Sequence, residues 1–318
     1  ESSGRQFGSY QRTVYQRKMT VEDLRQAQPK LTETFQQILE AGRLNHAYLF
    51  SGNFSSFAMA LTLSQSLFCE NRQGVWPCGT CRACRLIESE DFSDVTVVRP
   101  VNGVIKTERI RELVRSFSQS GMEGNRQVFI ICDADKMHVN AANSLLKVIE
   151  EPQSEIYIFL LTADEHLILP TIKSRTQIFH FRKNQAALQH QLEEAGLIKS
   201  QAELLAAYSQ TQEEADQLVS NKPFFELVSE SQRFVKAALT NENQAYLQVA
   251  KLAKLAEDKD KQEQALKILE VLLAKELGSE IGRKKLEDLL EAKKMWRANV
   301  SFQNALEYMI LKASAQAR

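Results

Sequence analysis

No run of apolar residues in this chain approaches the roughly 20 needed to cross a bilayer as a helix, and no secretory leader opens it. Charge of one sign is not in excess either. Lysines and arginines number 40, aspartates and glutamates 40. A protein without a net field is not drawn as a whole to nucleic acid or membrane, so any such contact must come from a local patch or a partner chain. Proline is missing altogether from Phe224 to Arg318, where glycine occurs only at Gly278 and Gly282. That scarcity excludes a turn-rich sheet domain and suits long helices. Cysteines are few, and four of the five fall between Cys69 and Cys84. Such clustering points to metal binding in a reducing compartment rather than to a disulfide framework. The place to expect the protein is therefore the cytoplasm.

What is present divides the chain. The first 18 residues are polar and aperiodic and read as a tag-like or disordered extension. From Met19 to about Arg182, apolar runs alternate with helical periodicity: AYLF at 47–50, VTVV at 95–98, QVFIIC at 127–132, IYIFLL at 156–161 and QIFHF at 177–181. Helices are predicted over 31–41, 58–68, 107–118 and 141–151. Short continuous apolar runs of this kind belong to strands buried on both faces, so the first domain is predicted to be a parallel αβα sandwich. Residues 183–222 carry three short helical patterns, enough for a small helical lid. Residues 223–318 carry leucines at bundle spacing, as in Leu252, Leu255, Leu266, Leu269 and Leu273. The fold class is α/β followed by all-α.

Three constellations could carry chemistry. The stretch 47–68 has the strand–turn–helix layout of a phosphate-binding loop, in which backbone N–H groups at a helix N-terminus cradle phosphates. Gly52 stands at the first glycine of G-x-x-x-x-G-K-[ST]. The second glycine is replaced by Phe57, the lysine by Ala58 and the Ser/Thr by Met59. No ammonium remains for the β/γ-phosphates and no hydroxyl for Mg²⁺. The strand that would end in Asp-Glu in a nucleotide hydrolase runs instead into Cys132-Asp133-Ala134-Asp135. Asp133 or Asp135 as a metal ligand is the alternative to polar residues that merely cap the strand. No bound ATP is expected.

The second constellation is Cys69-x8-Cys78-x2-Cys81-x2-Cys84 within an insertion over 69–84. Four thiolates satisfy a tetrahedral Zn²⁺ completely and leave no open position, which makes the site structural. Unligated cysteines or an iron–sulfur cluster are the alternatives. Four thiols so close on a polar loop would repel and oxidise without a metal, so one Zn²⁺ per chain is expected. The third is LILPTIKSR at 167–175. An arginine here, beyond a Pro-containing turn at the edge of the sandwich, can extend its fork of donors to a γ-phosphate bound by another chain. The five histidines recur at no fixed spacing and read as surface or core residues.

Taken together, HAYLFSG at 46–52, the cysteine pattern, AANSLLKVIEEP at 141–152 and LPTIKSRTQIFHF at 169–181 resemble the clamp-loader family of bacterial DNA polymerase III, in its delta-prime branch. The likeness is dense over the first domain; the C-terminal helices match by pattern and position. It implies an AAA+ core, a helical lid and a C-terminal helical collar joining five subunits in a ring. Such a ring loads the sliding clamp on primer–template DNA. It implies gamma/tau and delta subunits as partners, of which gamma/tau hydrolyse ATP and the delta-prime branch does not. The family's Ser-Arg-Cys motif maps onto Ser174-Arg175-Thr176, which gives Arg175 the role of an arginine finger acting in trans and Ser174 a supporting one. Two other readings compete: an active ATPase of the gamma/tau kind with a drifted site, and a zinc-knuckle protein that binds nucleic acid alone. The missing lysine at Ala58 speaks against the first. The neutral charge and the lack of aromatic–basic interleaving around the cysteines speak against the second.

Overall fold

A computed structural model describes residues 19–116, 126–152 and 154–316. These divide between Leu188 and Gln189 into two compact units.

The first unit opens with α1 (Val21–Ala27), a helix the apolar spacing did not reveal. Its start is a capping box, with Asp23 N–H donating to Thr20 Oγ1 and Thr20 N–H to the Asp23 carboxylate. α2 (Pro29–Glu40) begins on its proline. There follow β1 (Ala47–Ser51), α3 (Ser56–Phe68), α4 (Arg82–Glu88), β2 (Val95–Val98), α5 (Thr107–Ser116) and β3 (Arg126–Ile131). The unit continues with α6 (Val139–Glu150), β4 (Glu155–Thr162), the single turn α7 (Pro170–Lys173) and β5 (Gln177–His180). All five strands are parallel, in the order β2-β3-β4-β1-β5.

The continuous apolar runs have the predicted cause. Alternate residues of a strand face opposite ways, and both faces here are covered. Leu49, Phe129, Ile131, Ile158 and Leu160 pack with Ile110, Leu113, Leu145 and Ile149 of α5 and α6. Tyr48, Phe50, Val128, Ile130, Phe159 and Leu161 pack with Phe35, Met59 and Leu63 of α2 and α3. The parallel αβα sandwich is thus the observed fold of the first unit.

Some boundaries shift. α3 starts at Ser56 instead of 58, because Ser55 takes the left-handed conformation (φ +68°) and turns the chain there. β3 stops at Ile131 rather than Cys132, because Asp133 is left-handed too (φ +48°). The last predicted residues of α5, Phe117 and Ser118, and the N-terminal 1–18 lie outside the described residues.

α8 (Gln185–Glu194) spans the division. The second unit then holds α9 (Lys199–Tyr208), α10 (Gln212–Leu218), α11 (Lys222–Thr240), α12 (Glu242–Leu255), α13 (Lys259–Ala274), α14 (Glu280–Arg297) and α15 (Phe302–Gln316). It is all-α. Helices α9 and α10 join α11 and α13 directly: the Tyr208 and Phe224 rings meet edge to face at 5.1 Å, and Lys267 Nζ lies 2.9 Å from Glu214 and 4.1 Å from the Tyr208 ring centre. Among the described residues no helix is long and apolar enough to cross a membrane.

Candidate functional site

The loop after β1 sits at the carboxyl ends of the strands, where open α/β sheets hold their ligands. Gly52 has φ +109°, and its N–H donates to the Thr162 carbonyl at 2.8 Å. A Cβ added there would lie 2.0 Å from the Phe181 carbonyl oxygen. The protein's own backbone, arriving from β5, therefore demands this glycine, whatever a ligand requires. Gln28, between α1 and α2, ties the loop down: its amide donates to the Phe54 carbonyl at 3.1 Å and to the Arg182 carbonyl at 2.7 Å.

At the positions that would read phosphate, the side chains face protein. Met59 is fully buried in the core. Ala58 is half-buried and carries no polar atom in its side chain. Phe57 is half-buried, with the Arg99 guanidinium 5.1 Å from its ring centre. Arg99 is in turn gripped by both carboxylate oxygens of Glu90, at 2.6 and 2.7 Å. An aromatic ring with a cation stacked on it thus occupies the stretch where a glycine would let a phosphate approach. Sequence reading found Phe57 but missed Arg99, which carries no local motif and reaches the loop only through the sheet order.

Of the two acids beyond β3, Asp135 accepts a hydrogen bond from Thr162 Oγ1 at 2.9 Å and pairs with Lys136 at 3.2 Å. It ties β3 to the end of β4. Burial, with the neighbouring Asp135 charge, pushes the Asp133 carboxyl above the usual carboxylate range.

The four cysteines of the insertion come together. Their sulfur atoms all lie within 4.8 Å of one another. Cys69 closes α3, Cys81 caps α4 by accepting from the Cys84 N–H at 3.4 Å, and Gly79 makes the left-handed turn (φ +70°) between them. Backbone donors point at sulfur, as thiolates require. Cys78 N–H donates to Cys69 Sγ and Cys81 N–H to Cys78 Sγ, each at 3.3 Å. The Thr80 N–H, with that of Cys81, holds the Cys78 thiol down at about 6, whereas burial pushes Cys69 and Cys84 up. Trp76, buried at the loop's centre, donates to Gln36 Oε1 at 3.4 Å and anchors the insertion on α2. The cluster can hold a metal ion.

Arg175 sits just before β5, and β5 runs parallel to β1. It therefore lies at the amino edge of the sheet, opposite the loop at Gly52. It is outside the reach of its own chain's phosphate loop. Its Nε donates to Glu150 at the end of α6, and its Nη1 donates to the Thr171 carbonyl at 3.0 Å and to Ser174 Oγ at 3.1 Å. Ser174 thus lies against the arginine whose support it was expected to be. Thr176, where the family has cysteine, donates its hydroxyl to the Ile172 carbonyl at 3.1 Å, which satisfies the added polar group locally. Glu150 was invisible as a partner in the sequence, 25 positions upstream.

A family model described as DNA polymerase III, delta subunit, matches residues 27–185. The DNA polymerase III subunit delta' of Bacillus subtilis strain 168 is 31% identical over 319 residues, covering 91% of this chain and 97% of that protein. Its namesake in Escherichia coli K12 is 30% identical across 48% of each chain. The Escherichia coli K12 subunit tau is 33% identical over 158 residues, 49% of this chain and 24% of that one.

Proposed function

This chain belongs to the delta-prime family of DNA polymerase III subunits, and from that premise we propose that it is a nucleotide-inert subunit of the cytoplasmic clamp loader. In this reading it joins gamma/tau and delta subunits in an AAA+ ring, and Arg175 serves a neighbour's ATP during loading of the sliding clamp on primed DNA. One observation carries the inert half: the motif has no cation at Ala58, and the position of its second glycine holds Phe57, whose ring lies beneath Arg99. For the arginine, the support is its place at the sheet edge opposite that loop, half-exposed. The domain scheme is an AAA+ core over 19–182, a lid over 183–222 and a collar over 223–318. Purification from its native host is expected to bring gamma/tau and delta homologues down with this chain at fixed ratio. A chain that elutes as a free monomer from cells containing all three would refute it.

The cysteine cluster fits a structural Zn²⁺, with Cys69, Cys78, Cys81 and Cys84 as ligands. Four sulfurs within one ligand shell and N–H donors aimed at them are the donor set such a site uses. The ion would cross-link the end of α3 to the start of α4 and order a loop with little apolar content of its own. Elemental analysis of protein purified without chelator should give one zinc per chain. Cys81→Ser should lose the metal and lower the melting temperature of the first unit only, since zinc binding is worth about 10–16 kcal/mol in small peptides and acts on the fold it closes. Metal-free wild-type protein of unchanged stability would exclude the assignment.

A further inference from the structure

The proposed role of Arg175 leaves open how a long, half-exposed side chain is held ready to meet a ligand that another subunit brings. Free arginines sample many rotamers, and ordering one on contact costs conformational entropy. Here the guanidinium is held from two sides. Nε is bonded to Glu150, and Nη1 to the Thr171 carbonyl and Ser174 Oγ, while Nη2 makes no hydrogen bond among the described residues. Because the group is planar and rigid, fixing Nε and Nη1 fixes the direction of Nη2.

Both mounts are firm. Ile172, one turn before Arg175, is buried in the same core cluster as Leu145 and Ile149 of α6. The Ile149 carbonyl is hydrogen-bonded to His46 Nε2 at 2.7 Å, which pins the end of α6 to the start of β1. Glu150 is the last residue of that helix, where the macrodipole disfavours an anion. A carboxylate placed against that field gains its partner in Arg175.

We propose that Glu150 is a positioning residue for Arg175: it orients the guanidinium so that Nη2 points outward, toward the phosphate of a neighbouring subunit. This rests on the reading that Arg175 acts in trans. The acceptor oxygen matters for orientation, and the negative charge is secondary, so glutamine should substitute and alanine should not.

The test uses the complete complex, assembled with gamma/tau and delta subunits, and reads DNA-stimulated ATP hydrolysis and clamp loading. Glu150→Ala is expected to lower the maximal rates several-fold, as displacement of a reacting group by about 1 Å can cost up to 100-fold. The ATP concentration for half-maximal rate should not move. Glu150→Gln should recover most of the loss. The Glu150→Ala/Arg175→Ala double variant should be no slower than Arg175→Ala alone, with complex assembly unchanged and stability lowered by no more than the loss of one half-exposed ion pair. Wild-type or faster rates for Glu150→Ala beside a slow Arg175→Ala would overturn the positioning role and leave the trans-acting arginine standing. Losses that multiply in the double variant would mark Glu150 as a general structural residue and also overturn it. Undiminished rates for Arg175→Ala would remove the arginine's role itself, and the proposal with it.

Discussion

A chain ending at Leu188 is expected not to enter the clamp-loader complex at all. The second unit is a helical body of its own, with Leu266, Ile268, Leu269, Leu273, Leu289 and Leu306 fully or almost fully buried. Its surface nevertheless keeps large apolar side chains in water. Leu247 on α12 is 70% exposed, Ile281 on α14 55% and Leu311 on α15 51%. Leu247 and Leu311 line one groove together with Tyr246, an apolar patch of the kind that suits a partner, and in the proposed assembly this unit carries the collar that would join the subunits. The cut belongs at 188 rather than at the start of α11. A chain ending near Lys222 would strip Tyr208 and Glu214 of Phe224 and Lys267 and confuse loss of assembly with loss of folding. Size-exclusion chromatography with purified gamma/tau and delta subunits provides the measurement. Normal co-elution of the truncated chain would show that the first unit alone assembles.

The second large effect concerns Arg175→Ala. It should leave zinc content and assembly intact and the fold nearly as stable, while slowing DNA-stimulated hydrolysis and clamp loading in the whole complex. Arginine fingers are worth about 10³–10⁵ in rate at a single nucleotide site. The loss here should be smaller, since in the proposed ring the other sites would be served by arginines of other subunits. Removing the side chain also leaves Glu150 without its partner. That pair is half-exposed, with side-chain exposures of 38% and 45%, so its loss should cost the fold about 1 kcal/mol or less. A stability change of that size can be told apart from a defect in rate. Arg175→Lys should recover little, because an ammonium cannot reproduce a fork anchored at Nε and Nη1. A variant complex with undiminished clamp loading would end the proposed role.

The fold was legible where burial dictates composition. Strands covered on both faces must be apolar at every position, and VFII and IYIFLL declared themselves for that reason. The cysteines were legible because metal ligands need fixed residue types at short spacing. Helix α1 was not: its signal is the Thr20–Asp23 box, a two-residue cue with only Leu24 buried within the helix. Nor were Arg99 over Phe57 and Glu150 beside Arg175, because these contacts arise from sheet order and helix ends, which no local pattern encodes. Gly52 was legible for a partly different reason than its true constraint. The motif marks it as a phosphate-loop glycine, whereas its immediate neighbour is the Phe181 carbonyl. The chain's own packing thus demands this glycine even though the motif's lysine and hydroxyl positions hold Ala58 and Met59.

The central claim, a nucleotide-binding scaffold without nucleotide chemistry, is tested most directly by calorimetric titration of the isolated protein with Mg²⁺-ATP. No binding is expected below millimolar concentrations for the natural sequence. The same is expected for Ala58→Lys, which would still lack the second glycine, replaced by Phe57 under Arg99. Micromolar affinity in the natural protein would contradict it.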